Sequence, residues 1–103
     1  MGNTIYFKAS STVIIEVTDF MIPRIKTLKT RPDYMLEIVF TDGKKVIYDV
    51  KDDIKTIPGY SLLASLPGLF SQAAVDESKT VVYWNDEIDL PSDTLYEYGK
   101  PMQ

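Results

Sequence analysis

The sequence predicts a small α+β domain: an antiparallel meander, with a hairpin turning at Asp42-Gly43, covered by one or two short helices near residues 60–73. Three observations predict it. The stretch "YMLEIVFTDGKKVIYDV", residues 34–50, alternates in character on both sides of an Asp-Gly pair. Downstream the two-residue alternation stops, and leucine and phenylalanine recur at spacings of three and four. A β pattern then returns in "TVVYW", residues 80–84, too soon for the long helix that a parallel crossover needs.

Taken in order, the first twenty residues hold two β-rich runs, Ile5–Phe7 and Val13–Val17, with a turn-like "KASST" between them. Residues 1–20 are therefore expected to be a β-rich extension, and residues 21–103 one α+β domain. "RIKTLKT", residues 24–30, reads as a strand after Pro23, and Pro32 ends it by holding Arg31 extended. In the hairpin, Leu36, Ile38 and Phe40 share one face, and after the turn Val46, Tyr48 and Val50 share one. Asp42-Gly43 supplies the positive φ a tight turn requires.

Leu62, Leu63, Leu66, Leu69 and Phe70 form one helical face packed on the sheet, with Pro67 suited to a first turn. Val81 and Tyr83 then oppose Val82 and Trp84, and "EIDL" extends the sheet or forms a separate bridge. "PSDTLYEYG", residues 91–99, reads as a helical turn capped by Ser92 or Asp93 and stopped by Gly99, with Leu95 and Tyr96 packing back. Neither an internal repeat nor a low-complexity tract is visible.

The side-chain inventory narrows function more than any motif. The chain has no cysteine and no histidine. Disulfides, thiolate nucleophiles, zinc sites of the Cys/His type and Ser-His-Asp triads are excluded by that alone. No cofactor is expected, since the five glycines are scattered and build no phosphate loop. The net charge of −4 makes poor bulk electrostatics for nucleic acid, so direct nucleic-acid binding is not expected. One local exception is the basic patch Arg24, Lys26, Lys29 and Arg31. In a regular strand Arg24 and Lys26 would share one face, and Lys29 and Arg31 the other, giving two solvated flanks rather than a phosphate-contacting patch. "TVIIEV" is too short and too interrupted for a signal core, and no stretch reaches membrane-span length, so a cytoplasmic protein is expected.

"YWNDEIDLPSDTLY", residues 83–96, sets Asp86, Glu87, Asp89 and Asp93 behind an aromatic pair. Tested as a calcium loop from Asn85, it fails: the sixth position is Leu90 rather than glycine, and the twelfth is Tyr96 rather than an acid. If extended, Asn85, Glu87 and Asp89 share a face, as on a charged edge strand that resists pairing with other chains. Tyr83, Trp84, Tyr96 and Tyr98 are the candidate interaction surface, because such rings join apolar bulk to one polar handle. Against this, Trp84 and Tyr96 read as core or core-rim residues.

From Pro23 to Gly99 the chain resembles an uncharacterised bacterial family, domain of unknown function 2442. The resemblance rests on "MIPRIKTLKTRPDYMLEIVFTDGKKVIYDV", "LLASLPGLFSQAAVD" and "VYWNDEIDLPSDTLYEYG", in that order, over about three quarters of the chain. It implies a small α+β domain, found alone or beside a helix-turn-helix domain and often near small genes of toxin–antitoxin type. It carries over no catalytic residue. Asp33, Asp49, Asp89 and Asp93 fit backbone-bonding roles at strand ends and caps. Two functions are therefore expected as alternatives: a non-enzymatic protein-interaction module, accessory or antitoxin-like, or a metal-binding or hydrolytic site at Asp86, Glu87 and Asp89. Homodimerisation through the N-terminal strand is a further expectation.

Overall fold

A computed structural model describes residues 22–102. The expected N-terminal strands, and the dimer they would form, lie outside the described residues. The elements are β1 (Ile25–Arg31), β2 (Met35–Phe40), β3 (Lys45–Asp49), α1 (Lys51–Thr56), α2 (Leu62–Ser65), a 3-10 turn (Phe70–Gln72), β4 (Ala74–Val75), β5 (Val81–Tyr83), β6 (Asp89–Pro91), α3 (Ser92–Tyr98) and β7 (Lys100–Pro101). All strand pairs are antiparallel. They make two sheets, one of order β1-β2-β3-β7 and one of order β4-β5-β6. The fold is α+β, with the strand material divided between the two.

The hairpin forms where the alternation places it, with Ile38 opposite Val46 and Leu36 opposite Tyr48. Its turn is a three-residue loop. The Gly43 N–H donates to the Phe40 carbonyl at 2.9 Å, and the Phe40 N–H to the Lys44 carbonyl at 2.8 Å. Gly43 alone takes a positive φ, +96°, as in a type I turn closed by a glycine bulge. The β1–β2 turn forces Asp33 and Tyr34 to φ values of 68° and 60°, a region that disfavours L side chains. Two later bonds hold it there: the Val50 N–H donates to the Tyr34 carbonyl at 3.0 Å, and the Lys51 ammonium to Asp33 Oδ2 at 3.0 Å.

A bulge lies between Ile25 and Thr27. Lys26 is the extra residue, and from there the strand's facing reverses. Ile25 is buried and Leu28 half-buried on the inner face, whereas Thr27, Lys29 and Arg31 are exposed on the outer one.

The core fills the space between the two sheets. Leu36, Ile38, Phe40 and Val46 of the larger sheet are at most 1% exposed. They cluster with Tyr60, Leu63 and Phe70 from the helical segment, and with Val82, Trp84, Ile88, Leu90 and Leu95 from the C-terminal half. The expected helical face is only partly realised. Pro67-Gly68 form a turn that splits it into α2 and the 3-10 turn, leaving Leu62 and Leu66 exposed while Leu63 and Phe70 go inside. A short helix was also unforeseen at α1. It buries no residue, so it carries no periodic signal; Asp49 Oδ1 accepts the Lys51 N–H at 2.9 Å at its start, and the Tyr48 hydroxyl donates to Asp53 at 2.6 Å.

Two expectations about α3 are corrected. Ser92 is not a cap. It is 1% exposed, and its hydroxyl donates to the Pro23 carbonyl at 2.6 Å, tying the approach to β1 onto the helix. Gly99 is not a left-handed stop, since its φ is −66°. A Cβ there would sit 2.6 Å from the Leu95 carbonyl oxygen and 2.8 Å from Val46 Cβ, so glycine is needed for close approach of α3 to β3.

Candidate functional site

A concavity lies between the β2–β3 turn and α3. It is a groove of about 920 Å³, walled by Ile22, Pro23 and Arg24 on one side and by Asp93, Tyr96 and Glu97 of α3 on the other, with Phe40, Thr41, Asp42 and Lys44 beneath. Two stretches far apart in sequence meet here. The Tyr96 hydroxyl donates to Asp42 Oδ2 at 2.7 Å. Its ring meets Phe40 edge-on, with centroids 4.9 Å apart and planes at 74°, a favourable aromatic geometry. The Lys44 ammonium lies 4.0 Å from the Tyr96 ring centroid and donates to the Tyr96 carbonyl at 2.9 Å. The Asp42 carboxylate also accepts the Lys44 N–H at 2.9 Å, which orders the turn.

This network fixes protonation states. The Tyr96 hydrogen bond, with further help from the Lys44 N–H, holds Asp42 below the usual carboxylate range. The same bond pushes the Tyr96 hydroxyl up. Near neutral pH the pair holds a charge in place rather than moving a proton. A depressed carboxylate pKa stabilises the fold above the unfolded value, and that contribution disappears as pH falls through the folded value. We therefore expect wild type and Asp42→Asn to differ in urea midpoint at neutral pH. The difference should shrink as pH falls below the ordinary carboxylate value of about 4. A pH-independent difference would contradict the assignment.

The acidic stretch has another role. Residues 84–88 form the turn of the β5–β6 hairpin, where Asn85 Oδ1 accepts the N–H groups of Glu87 at 2.8 Å and Ile88 at 2.9 Å. The Trp84 N–H closes it onto the Ile88 carbonyl at 2.9 Å. The expected extended edge is therefore a turn, because one asparagine side chain satisfies two backbone donors. Asp86, Glu87 and Asp89 are exposed. Among the described residues no three acidic side chains converge as a metal site would require.

The aromatic candidates do not make one surface. Trp84 is 7% exposed, stacked on Phe70 at 5.7 Å, with its indole N–H donating to the Phe70 carbonyl at 2.9 Å. Tyr83 is 40% and Tyr98 69% exposed, and Tyr96 belongs to the groove. Of the basic candidates, Arg24 lines the groove, and Arg31 pairs with Glu37 at 2.6 Å on the outer sheet face that Lys29 shares. Lys26 sits in the bulge, so the first pair is not the flank of a regular strand. Sequence reasoning gave Asp42 a turn role alone, and did not single out Lys44 or Glu97. The available signal was that Phe40, Asp42, Asp93 and Tyr96 all stand in stretches that carry the family resemblance.

Two antiparallel sheets around one core, with a hairpin turn latched to the helix α3, define a small α+β domain. Among the described residues no helix is long and apolar enough to cross a membrane. The chain belongs to the family described as protein of unknown function DUF2442, whose model matches residues 25–101. No curated protein and no solved structure matches it.

Proposed function

We propose that this chain is a non-enzymatic protein-interaction module of the bacterial cytoplasm, an accessory or antitoxin-like partner of a small neighbouring protein, and that the groove holds a basic segment of that partner. The observation that carries this is the groove's composition. Its walls offer apolar surface from Ile22, Pro23 and Tyr96, and α3 sets Asp93 and Glu97 on the rim. Among the described residues neither acid is in a salt bridge; of the groove's two cations Lys44 is already occupied by the Tyr96 ring and carbonyl, which leaves Arg24 on the facing wall against two unpaired acids. An apolar centre with a charged rim is the ordinary anatomy of a protein contact, and an acidic rim complements a basic partner. The hydrogen bonds between turn and helix keep the walls in place before binding, which lowers the ordering cost.

The test is co-expression with the product of the adjacent gene. The two should co-purify in fixed stoichiometry. Reversing the rim charges, with Asp93→Lys and Glu97→Lys together, should weaken the complex roughly tenfold and make it less salt-sensitive, while the melting temperature falls only slightly, because Asp93 Oδ1 accepts the Thr94 N–H at 2.8 Å in the first turn of α3. A clean monomer that leaves the neighbour behind would overturn the proposal.

A further inference from the structure

The outer face of the four-stranded sheet is opposite in character to the groove. Register places its side chains in three rows: Thr27, Val39 and Lys45; then Lys29, Glu37, Ile47 and Lys100; then Arg31, Met35 and Asp49. Directly opposed residues on antiparallel strands point to the same side. No residue in these rows is buried, so nothing among the described residues covers the face as the core covers the other side. Its centre is aliphatic: Met35, Val39 and Ile47, all half-buried. A hollow of about 340 Å³ opens at one end, where Tyr98, 69% exposed, stands by Met35, Ile47 and Lys100.

The charges on this face run against those of the chain. Four cations, Lys29, Arg31, Lys45 and Lys100, stand in these rows against two carboxylates, Glu37 and Asp49, with Asp52 beyond them at the hollow, in a protein of net charge −4. Both carboxylates are engaged, Glu37 by Arg31 at 2.6 Å and Asp49 by Lys51 at 3.2 Å. Among the described residues Lys29, Lys45 and Lys100 are in no salt bridge. They ring the aliphatic centre from β1, β3 and β7.

We infer that this outer face is a second docking surface, taking an acidic, apolar segment of a partner protein across Met35, Val39 and Ile47, with Lys29, Lys45 and Lys100 meeting its carboxylates. A nucleic acid fits less well. Tyr98 is a single exposed ring at one end, so successive bases find no row of rings to stack on across the centre, and the net negative charge repels a dense polyanion at long range. Sparse carboxylates on a strand or helix feel mainly the local cations, within about one Debye length of roughly 8 Å. The inference is independent of the groove, which lies at the other side of the hairpin turn and prefers the opposite charge.

The full chain, labelled with nitrogen-15, is titrated with a peptide of alternating glutamate and isoleucine, with its lysine counterpart, and with oligothymidylate. The acidic peptide should shift the amides of Lys29, Val39, Lys45, Ile47 and Lys100. Lys45→Glu with Lys100→Glu should weaken it roughly tenfold, and the matching glutamine pair less. Asp93→Lys with Glu97→Lys should leave this affinity unchanged, which separates failure here from failure at the groove. Equal shifts by the lysine peptide, tighter binding of the oligonucleotide on the same residues, or contacts from residues 1–21 to this face in the free chain would each overturn the inference.

Discussion

Replacing Gly99 by alanine should destabilise the fold by about 3 kcal/mol, at the upper end of what overpacking costs. A glycine-to-alanine change at an ordinary φ normally stabilises by about 0.4–1 kcal/mol, because it restricts the unfolded chain. Gly99 has an ordinary φ, −66°, so the usual rule predicts a gain. The surroundings reverse the sign. The new methyl would stand 2.6 Å from the Leu95 carbonyl oxygen and 2.8 Å from both Cβ and Cγ2 of Val46, which is fully buried. A backbone atom and a β-branched core residue cannot swing aside as a flexible side-chain tip can. Gly43→Ala is the control. Nothing lies within 4 Å of its Cβ position, but φ is +96°, so only about 1 kcal/mol of stability is lost, to backbone strain. Urea titration followed by circular dichroism should order the variants as wild type, Gly43→Ala, Gly99→Ala. A Gly99→Ala midpoint at or above that of wild type would show that α3 can move off β3 without loss. The consequence reaches the groove, because α3 carries Asp93, Tyr96 and Glu97, and its distance from β3 is set at this glycine.

The same glycine marks where sequence reasoning stops. Its position after "TLYEY" predicts a helix end, which is correct, but its reason is a tertiary contact with a residue 53 positions earlier, from Val46 to Gly99. What was legible was local. The β2–β3 hairpin combines a long alternation with Asp-Gly, so pattern and turn chemistry agree. The bulge at Lys26 was not legible, since polar residues flank it on both sides and a shift of facing leaves no mark in "RIKTLKT". In "NDEI" the alternation suggested an extended edge, whereas the Asn85 side chain outbids strand geometry by accepting two backbone N–H groups.

The candidate site shows the same division. Phe40 and Asp42 are conspicuous in one stretch, Asp93 and Tyr96 in another, and both stretches carry the family resemblance. That Tyr96 reaches across 54 positions to Asp42 depends on how α3 lies on the sheet, which no periodicity reports. The aromatic cluster failed for the converse reason. Tyr83 ends β5 exposed, whereas Trp84, the first residue of the turn that follows, enters the core.

Trp84 gives the second large effect. Trp84→Ala should cost about 3–5 kcal/mol, the range for deleting a buried aromatic side chain. That is a large fraction of the roughly 5–15 kcal/mol that holds a domain folded. The indole is 7% exposed, stacks on Phe70 with planes at 29°, and reaches the edge-on Tyr34–Phe70 pair through that ring. Trp84→Phe keeps much of the apolar area but removes the N–H that satisfies the Phe70 carbonyl. That carbonyl would keep only the long bond from the Ala73 N–H at 3.4 Å, so losing the indole donor adds about 1 kcal/mol, and phenylalanine should lie between wild type and alanine. Equal stability of Trp84→Phe and wild type would mean that the hydrogen bond contributes nothing. The pair also separates core from contact surface. If Trp84 works only by packing, Trp84→Phe should lower the urea midpoint yet leave affinity for the co-purifying partner unchanged, while Asp93→Lys with Glu97→Lys should lower affinity with a much smaller loss of midpoint. A loss of partner affinity in folded Trp84→Phe would return the indole to the interaction surface, because a side chain buried against Phe70 can reach a partner only by leaving the core.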